Sequence, residues 1–173
     1  MTKYAPASLI YVALGDSLAV GTGASYKGYV DRYADYLRTD TRSQVCVINL
    51  GQDGQTSSEL LHALRNDAYS RQTVSAASII TFNTGLNDLG HAGEAYENGT
   101  CGGADNQDCL RAAVEAFKEN WDAIITEILS LRSSSNTINP TIGMGHTPKI
   151  FVDDAVTTWP SEGKIEDVRS LKP

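Results

Sequence analysis

The chain has 173 residues, a net charge of −7 and a pI near 4.8, a size at which one domain over residues 1–173 around a single core is expected. With 41% hydrophobic and 20% charged residues it follows ordinary globular usage, which excludes a disordered or fibrous chain, and its acid excess excludes a nucleic acid partner that needs clustered Lys and Arg. No run of 18 apolar residues occurs, and the residues before Ala7 are too few and too polar to precede a signal-peptide core, so neither a membrane span nor a leader is expected in the chain as written.

Residues 9–14 are apolar throughout and stop at Gly15, the signature of a strand buried on both faces of a parallel sheet. After a glycine-rich turn, Val30, Tyr33, Ala34 and Leu37 recur at helical spacing among charged residues, which predicts a helix. Residues 45–50 form a second apolar run closed by Gly51-Gln52-Asp53-Gly54, and Thr56-Ser57-Ser58-Glu59 then spells a capping box ahead of Leu60, Leu61 and Leu64. Residues 77–82 form a third run ending at Asn83-Thr84-Gly85. Residues 90–108 show no apolar periodicity and are expected to be a long loop. From Leu110 to Leu131 one apolar stripe persists over several turns, the clearest helix in the chain. Residues 149–152 read as a fourth strand, and the stretch from 133 to 147 is polar and irregular.

Strands alternating with helices over crossovers of this length imply parallel pairing. The expected fold is therefore α/β, a three-layer α/β/α sandwich with a parallel sheet, its ligand edge at the strand C-terminal ends.

Three strand ends supply candidate chemistry at that edge. Ser17 follows the first strand directly, where free backbone N–H groups face a ligand, and suits a nucleophile. Gly54 occupies the turn after the second strand, where the lack of a Cβ lets its N–H approach a substrate oxygen, although a plain turn glycine accounts for it equally well. Asn87 follows the third strand and brings an amide donor to the same place.

Gly15-Asp16-Ser17-Leu18, Asn49-Leu50-Gly51-Gln52-Asp53-Gly54 and Gly85-Leu86-Asn87-Asp88 together resemble, in order and spacing, the first three conserved blocks of the SGNH, or GDSL, hydrolase family. The resemblance covers roughly residues 9–131. It implies a flavodoxin-like SGNH hydrolase fold and hydrolysis of a small-molecule carboxylic ester through an acyl-serine intermediate, with no metal or organic cofactor. Carried onto this sequence, it makes Ser17 the nucleophile. The Ser17 N–H, the Gly54 N–H and the Asn87 side-chain amide become the oxyanion hole, and Asp16 shapes the nucleophile turn. Asp16, Asp88 and His91 are expected to line the substrate site.

A serine hydroxyl needs a base, and the family draws it from a late Asp-x-x-His motif that is not found here. The chain is therefore expected to lack its C-terminal catalytic motif, to be truncated, and to be a weak esterase. Residues 159–169, with Trp159-Pro160, resemble the connection that precedes that motif. Of the three histidines, His62 is expected on the surface of the helix after Thr56. His91 and His146 are the candidates for a substitute base, with no aspartate matched to either.

Cys46 lies in an apolar run and is expected in the core as a small hydrophobe. Cys101 and Cys109 bracket a polar, glycine-bearing segment. A zinc site needs three or four ligands and no other His or Cys pair lies nearby, so a loop disulfide is expected. That bond would mark an oxidising compartment, with the parent protein secreted and its leader absent from this chain. A second class of function, a non-catalytic carbohydrate- or acyl-binding module that has lost its base, is compatible with the missing motif. Nucleotide binding is disfavoured, because Gly21-Thr22-Gly23-Ala24-Ser25 completes neither a P-loop nor a dinucleotide fingerprint.

Overall fold

In a computed structural model, which describes residues 8–133 and the strand at 149–152, the first apolar run forms β1 (Ser8–Leu14) at the centre of a parallel sheet. β2 (Gln44–Asn49) pairs along one side, β3 (Ile79–Phe82) along the other, and β4 (Lys149–Val152) beyond β3, in the order β2-β1-β3-β4. Side chains alternate across a strand, and in β1 both faces are buried. Val12 and Leu14 join a cluster with Leu60, Leu64, Val74, Ile80, Phe82, Ile124 and Ile128, while Tyr11 and Ala13 join Ala19, Val30, Ala34 and Leu37 on the opposite side.

The helices divide accordingly. α1 (Ser17–Val20) and α2 (Tyr29–Thr41) cover one face, and α3 (Ser57–Asn66), α4 (Ala68–Ala76) and α6 (Asp108–Ser133) cover the other. This is a three-layer α/β/α sandwich. Burial of a Leu, Ile or Phe of this kind contributes about 1.5–3 kcal/mol each, which makes the two clusters the main force holding helices to sheet. The Thr56–Glu59 capping box forms as its letters predict: Thr56 accepts from the Glu59 N–H, and the Glu59 carboxylate accepts from the Thr56 N–H at 2.9 Å. Residues 134–148 and 153–173, which include His146 and Trp159, lie outside the described residues.

Two expectations are corrected. The segment 90–108, read as a long loop, begins inside α5 (Leu86–Glu97), of which only Ala92 is buried. Its hold is the close packing of α5 on α6 rather than an apolar stripe, and its glycines, Gly90 and Gly93, meet nothing within 4 Å where a Cβ would stand. Cys46, expected in the core, is exposed. It lies on β2, the outer strand of the described sheet, where Val45 and Val47 pack toward α2 and the opposite cluster reaches Ile48 but not Cys46. α1, a single turn, and α4 were not legible in advance.

The Cys101–Cys109 disulfide is present, with Cα atoms 4.8 Å apart. It closes the loop between α5 and α6, which Arg111 also pins through ion pairs with Asp105 and Asp108. Replacing both cysteines by serine is expected to lower unfolding free energy by about 2–3 kcal/mol through the regained freedom of the unfolded loop. Urea denaturation of the oxidised parent and the double variant checks this, and equal midpoints would count against it.

Candidate active site

The chain leaves β1 through Gly15, whose φ of +130° is a conformation L side chains rarely adopt. A Cβ at Gly15 would also run into the carbonyl oxygen and side chain of Asn83. Asp16 follows as the N-cap of α1, its Oδ1 accepting from the Leu18 N–H at 2.9 Å. That cap makes Ser17 the first residue of the helix, half-buried at the end of the sheet, with its N–H among those a helix start leaves without an intrahelical partner. Among the described residues its hydroxyl has no hydrogen-bond partner.

The second strand carries its pairing past its own end. The Leu50 N–H donates to the Ala13 carbonyl and the Gln52 N–H to the Gly15 carbonyl, both at 2.8 Å, so the following turn sits beside Ser17. The Gln55 N–H closes that turn on Gln52 at 3.1 Å, with Gly54 at a φ of +77° in the position where a type II turn demands a positive value. Gly54 is exposed, and its N–H has no acceptor among the described residues. A clasp from the Thr22 hydroxyl to Asp53 Oδ1, 2.6 Å, holds the turn to the end of α1.

The third turn closes the ring. Asn83, directly after β3, donates from Nδ2 to Asp16 Oδ1 at 2.6 Å. Asn87, in the first turn of α5, donates from Nδ2 to the Gln55 carbonyl at 2.9 Å, and that nitrogen carries a second N–H. Each turn is thus bonded to the other two. Ser17, Gly54 and Asn87 stand on three loops of one sheet edge.

The remaining expected residues sit differently. Asp16 is 1% exposed and faces inward. Asp88 accepts from the N–H of Ser57 at 2.9 Å and from its hydroxyl, and Asn120 of α6 donates to that same hydroxyl at 2.9 Å. The Asp88 carboxylate therefore anchors α5 to the start of α3. His91 lies one turn after Asn87, exposed, and acts on Glu59 of α3. Glu59 is held below the ordinary glutamate range chiefly by the Thr56 backbone N–H, then by the Thr56 hydroxyl, with a further contribution from His91. The absence of a matched aspartate for His91 needs correction, since Asp88-Leu89-Gly90-His91 has the Asp-x-x-His spacing. No Asp88–His91 bond forms, because Asp88 is directed to Ser57. His62 is exposed on α3 with Nδ1 3.3 Å from the Asn66 amide.

Sequence reading missed Asn83, Gln55, Ser57 and Asn120. Asn83 carried one signal, a polar residue immediately after an apolar strand, and burial gives it meaning. Among the described residues there is no group of three or more His, Cys, Asp or Glu side chains able to hold a metal ion.

The model of the GDSL-like lipase/acylhydrolase family matches residues 13–169. The chain belongs to this family. Among its relatives, the spore germination lipase LipC of Bacillus licheniformis is 32% identical over 132 residues, covering 75% of this chain and 59% of LipC. The crystal structure of the lipase Lip_vut3 from a goat rumen metagenome superposes with a TM-score of 0.65 at 29% identity, covering 75% of this chain and 60% of that one. The acetyl xylan esterase AlAXEase, at 18% identity and a TM-score of 0.50 over 83% of this chain and 57% of its own, shares the fold. This GDSL-family chain spans about three-fifths of the length of the LipC and Lip_vut3 relatives.

In this family member Gly15→Ala is expected to cost at least about 2 kcal/mol, from a disallowed φ together with overpacking against Asn83. Chemical denaturation is the measurement, and a loss under about 0.5 kcal/mol would show that the turn is not as tightly closed as described.

Proposed function

We propose that this chain, a single domain, holds the nucleophile and the oxyanion-binding part of a carboxylic-ester hydrolase, with a small-molecule ester as substrate. The observation that carries the reading is the bonded ring of three turns presenting Ser17, Gly54 and Asn87. The printed names of LipC and Lip_vut3, both lipases, support it.

In this reading the Ser17 hydroxyl attacks the ester carbonyl carbon, and negative charge develops on the former carbonyl oxygen. Donors fixed beforehand stabilise such a charge because they need no reorganisation at the moment of reaction. The Ser17 and Gly54 N–H groups and the second N–H of Asn87 Nδ2 are those donors. Collapse of the tetrahedral species breaks the ester C–O bond, the alcohol leaves with a proton, and water then hydrolyses the acyl-serine. Asp16 shapes the turn rather than touching substrate. Asp88 likewise positions α5, and His91 lies at the margin of the site.

The proton acceptor for Ser17 is assigned to residues outside those described. His62 Nδ1 lies 3.3 Å from the Asn66 amide, and His91, exposed on α5, makes no side-chain hydrogen bond among the described residues. The disulfide supports an oxidising compartment and thus a secreted parent protein.

Kinetics on a short-chain chromogenic ester test the reading. Ser17→Ala is expected to lower kcat by at least ~10³-fold, and Asn87→Ala by about 10²–10³-fold with KM little changed. Undiminished turnover by Ser17→Ala would remove Ser17 as nucleophile. Ester or sugar binding without any Ser17-dependent turnover would favour the non-catalytic binding module instead.

A further inference from the structure

The turn that carries Ser17 is held from below by a side chain outside the three sequence blocks. We propose that Asn83 is a positioning residue for the nucleophile, acting through Asp16, and that Tyr29 sets the orientation of its amide. The proposal rests on Ser17 being the nucleophile.

The geometry is a short chain of hydrogen bonds. The Tyr29 hydroxyl of α2 donates to Asn83 Oδ1 at 3.1 Å, and Asn83 Nδ2 donates to Asp16 Oδ1 at 2.6 Å. Asp16 Oδ1 also accepts from the Leu18 N–H at 2.9 Å, the bond that caps α1 on the residue after Ser17. An amide presents an acceptor at one end and donors at the other. A hydroxyl donating to Oδ1 therefore turns Nδ2 toward the carboxylate. The Asn83 backbone takes part as well, its N–H donating to the Leu14 carbonyl at 3.3 Å, and Gly15 leaves room for this approach by having no Cβ.

Burial decides how much the contact matters. Asp16 and Asn83 are 1% and 2% exposed, and Asp16 Oδ2 has no hydrogen-bond partner among the described residues. The carboxylate thus has two protein donors, the Leu18 N–H and the Asn83 amide, both on Oδ1. Removing the amide leaves one, and a buried acceptor short of donors rearranges or draws in solvent. The nearest structure free to yield is the single-turn helix whose first residue is Ser17. A displacement of about 1 Å in a reacting group costs on the order of 10²-fold in rate.

The test compares Asn83→Ala, Asn83→Asp and Tyr29→Phe with the parent and Ser17→Ala, by kcat and KM across pH and by thermal unfolding. The titratable groups facing position 83 are Asp16 from the β1–α1 turn and Tyr29 from α2. Asn83→Ala and Asn83→Asp are expected to lose about 10- to 10²-fold in kcat with KM within about twofold. The Asn83→Asp to parent ratio of kcat should rise as pH falls, because an introduced carboxyl can donate to Asp16 only when protonated, while the Asn83→Ala ratio stays flat. Should both Asn83 variants fail to fold, Tyr29→Phe decides, with a several-fold loss in kcat expected. Unchanged kcat, or a loss that tracks the unfolded fraction with flat ratios for both Asn83 variants, would overturn the proposal. Full turnover by Ser17→Ala would instead remove the nucleophile assignment on which it stands.

Discussion

The contact between Asn83 and Asp16 joins the ends of two parallel strands at the point where the chain must turn. Parallel strands are held along their length by a slanted ladder of backbone bonds, but the ladder stops where the loops begin. Beyond it, something else must fix the loops to one another. Here side chains continue the work: Asn83 to Asp16 across β1 and β3, Asn87 to Gln55 between the second and third turns, and Thr22 to Asp53 between the first and second. With Asp16 almost wholly buried, the first of these is the least replaceable. Loss of an exposed clasp can be made good by water in place, whereas loss of a buried donor is made good only by a rearrangement of the turn.

That arrangement explains why the family motifs lie where they do in this chain. Gly15 allows the backbone to pass Asn83, Asp16 caps α1, and the cap leaves Ser17 at a helix start with its N–H free. Gly54 and Asn87 come to the same edge because β2 and β3 flank β1 on either side. One central strand with a neighbour on each side is sufficient to bring three short sequence blocks together.

Much of this was legible in the sequence, and the reasons are physical. Apolar runs of six residues followed by glycine or asparagine mark strands of a parallel sheet, and β1, β2 and β3 follow them. The Thr56–Glu59 pair marks a helix start by its own hydrogen-bonding chemistry. α6 shows its stripe because it packs over the sheet and over α3 to α5 at once. α5 escaped detection because it buries little apolar surface and carries two glycines, so its helicity comes from packing on α6 rather than from its own pattern. Cys46 was misread because an apolar run does not say whether its strand is covered on both sides. Asn83, Ser57 and Asn120 act by burial and pairing across 60 residues or more of sequence, distances over which a single sequence has no signal.

The chemistry divides in the same way. An acyl-transfer site needs a nucleophile, a base and a place for the developing oxyanion, and the function proposed above gives the first and last of these to the ring of turns. The most direct measurement is the crystal structure of a covalent adduct with a p-nitrophenyl phosphonate, whose tetrahedral phosphorus stands in for the reacting carbon. The account predicts phosphorus on Ser17 Oγ and the phosphoryl oxygen about 2.7–3.1 Å from the Ser17 N, the Gly54 N and Asn87 Nδ2. Phosphorus on another side chain, or a phosphoryl oxygen turned away from Gly54 and Asn87, would contradict it.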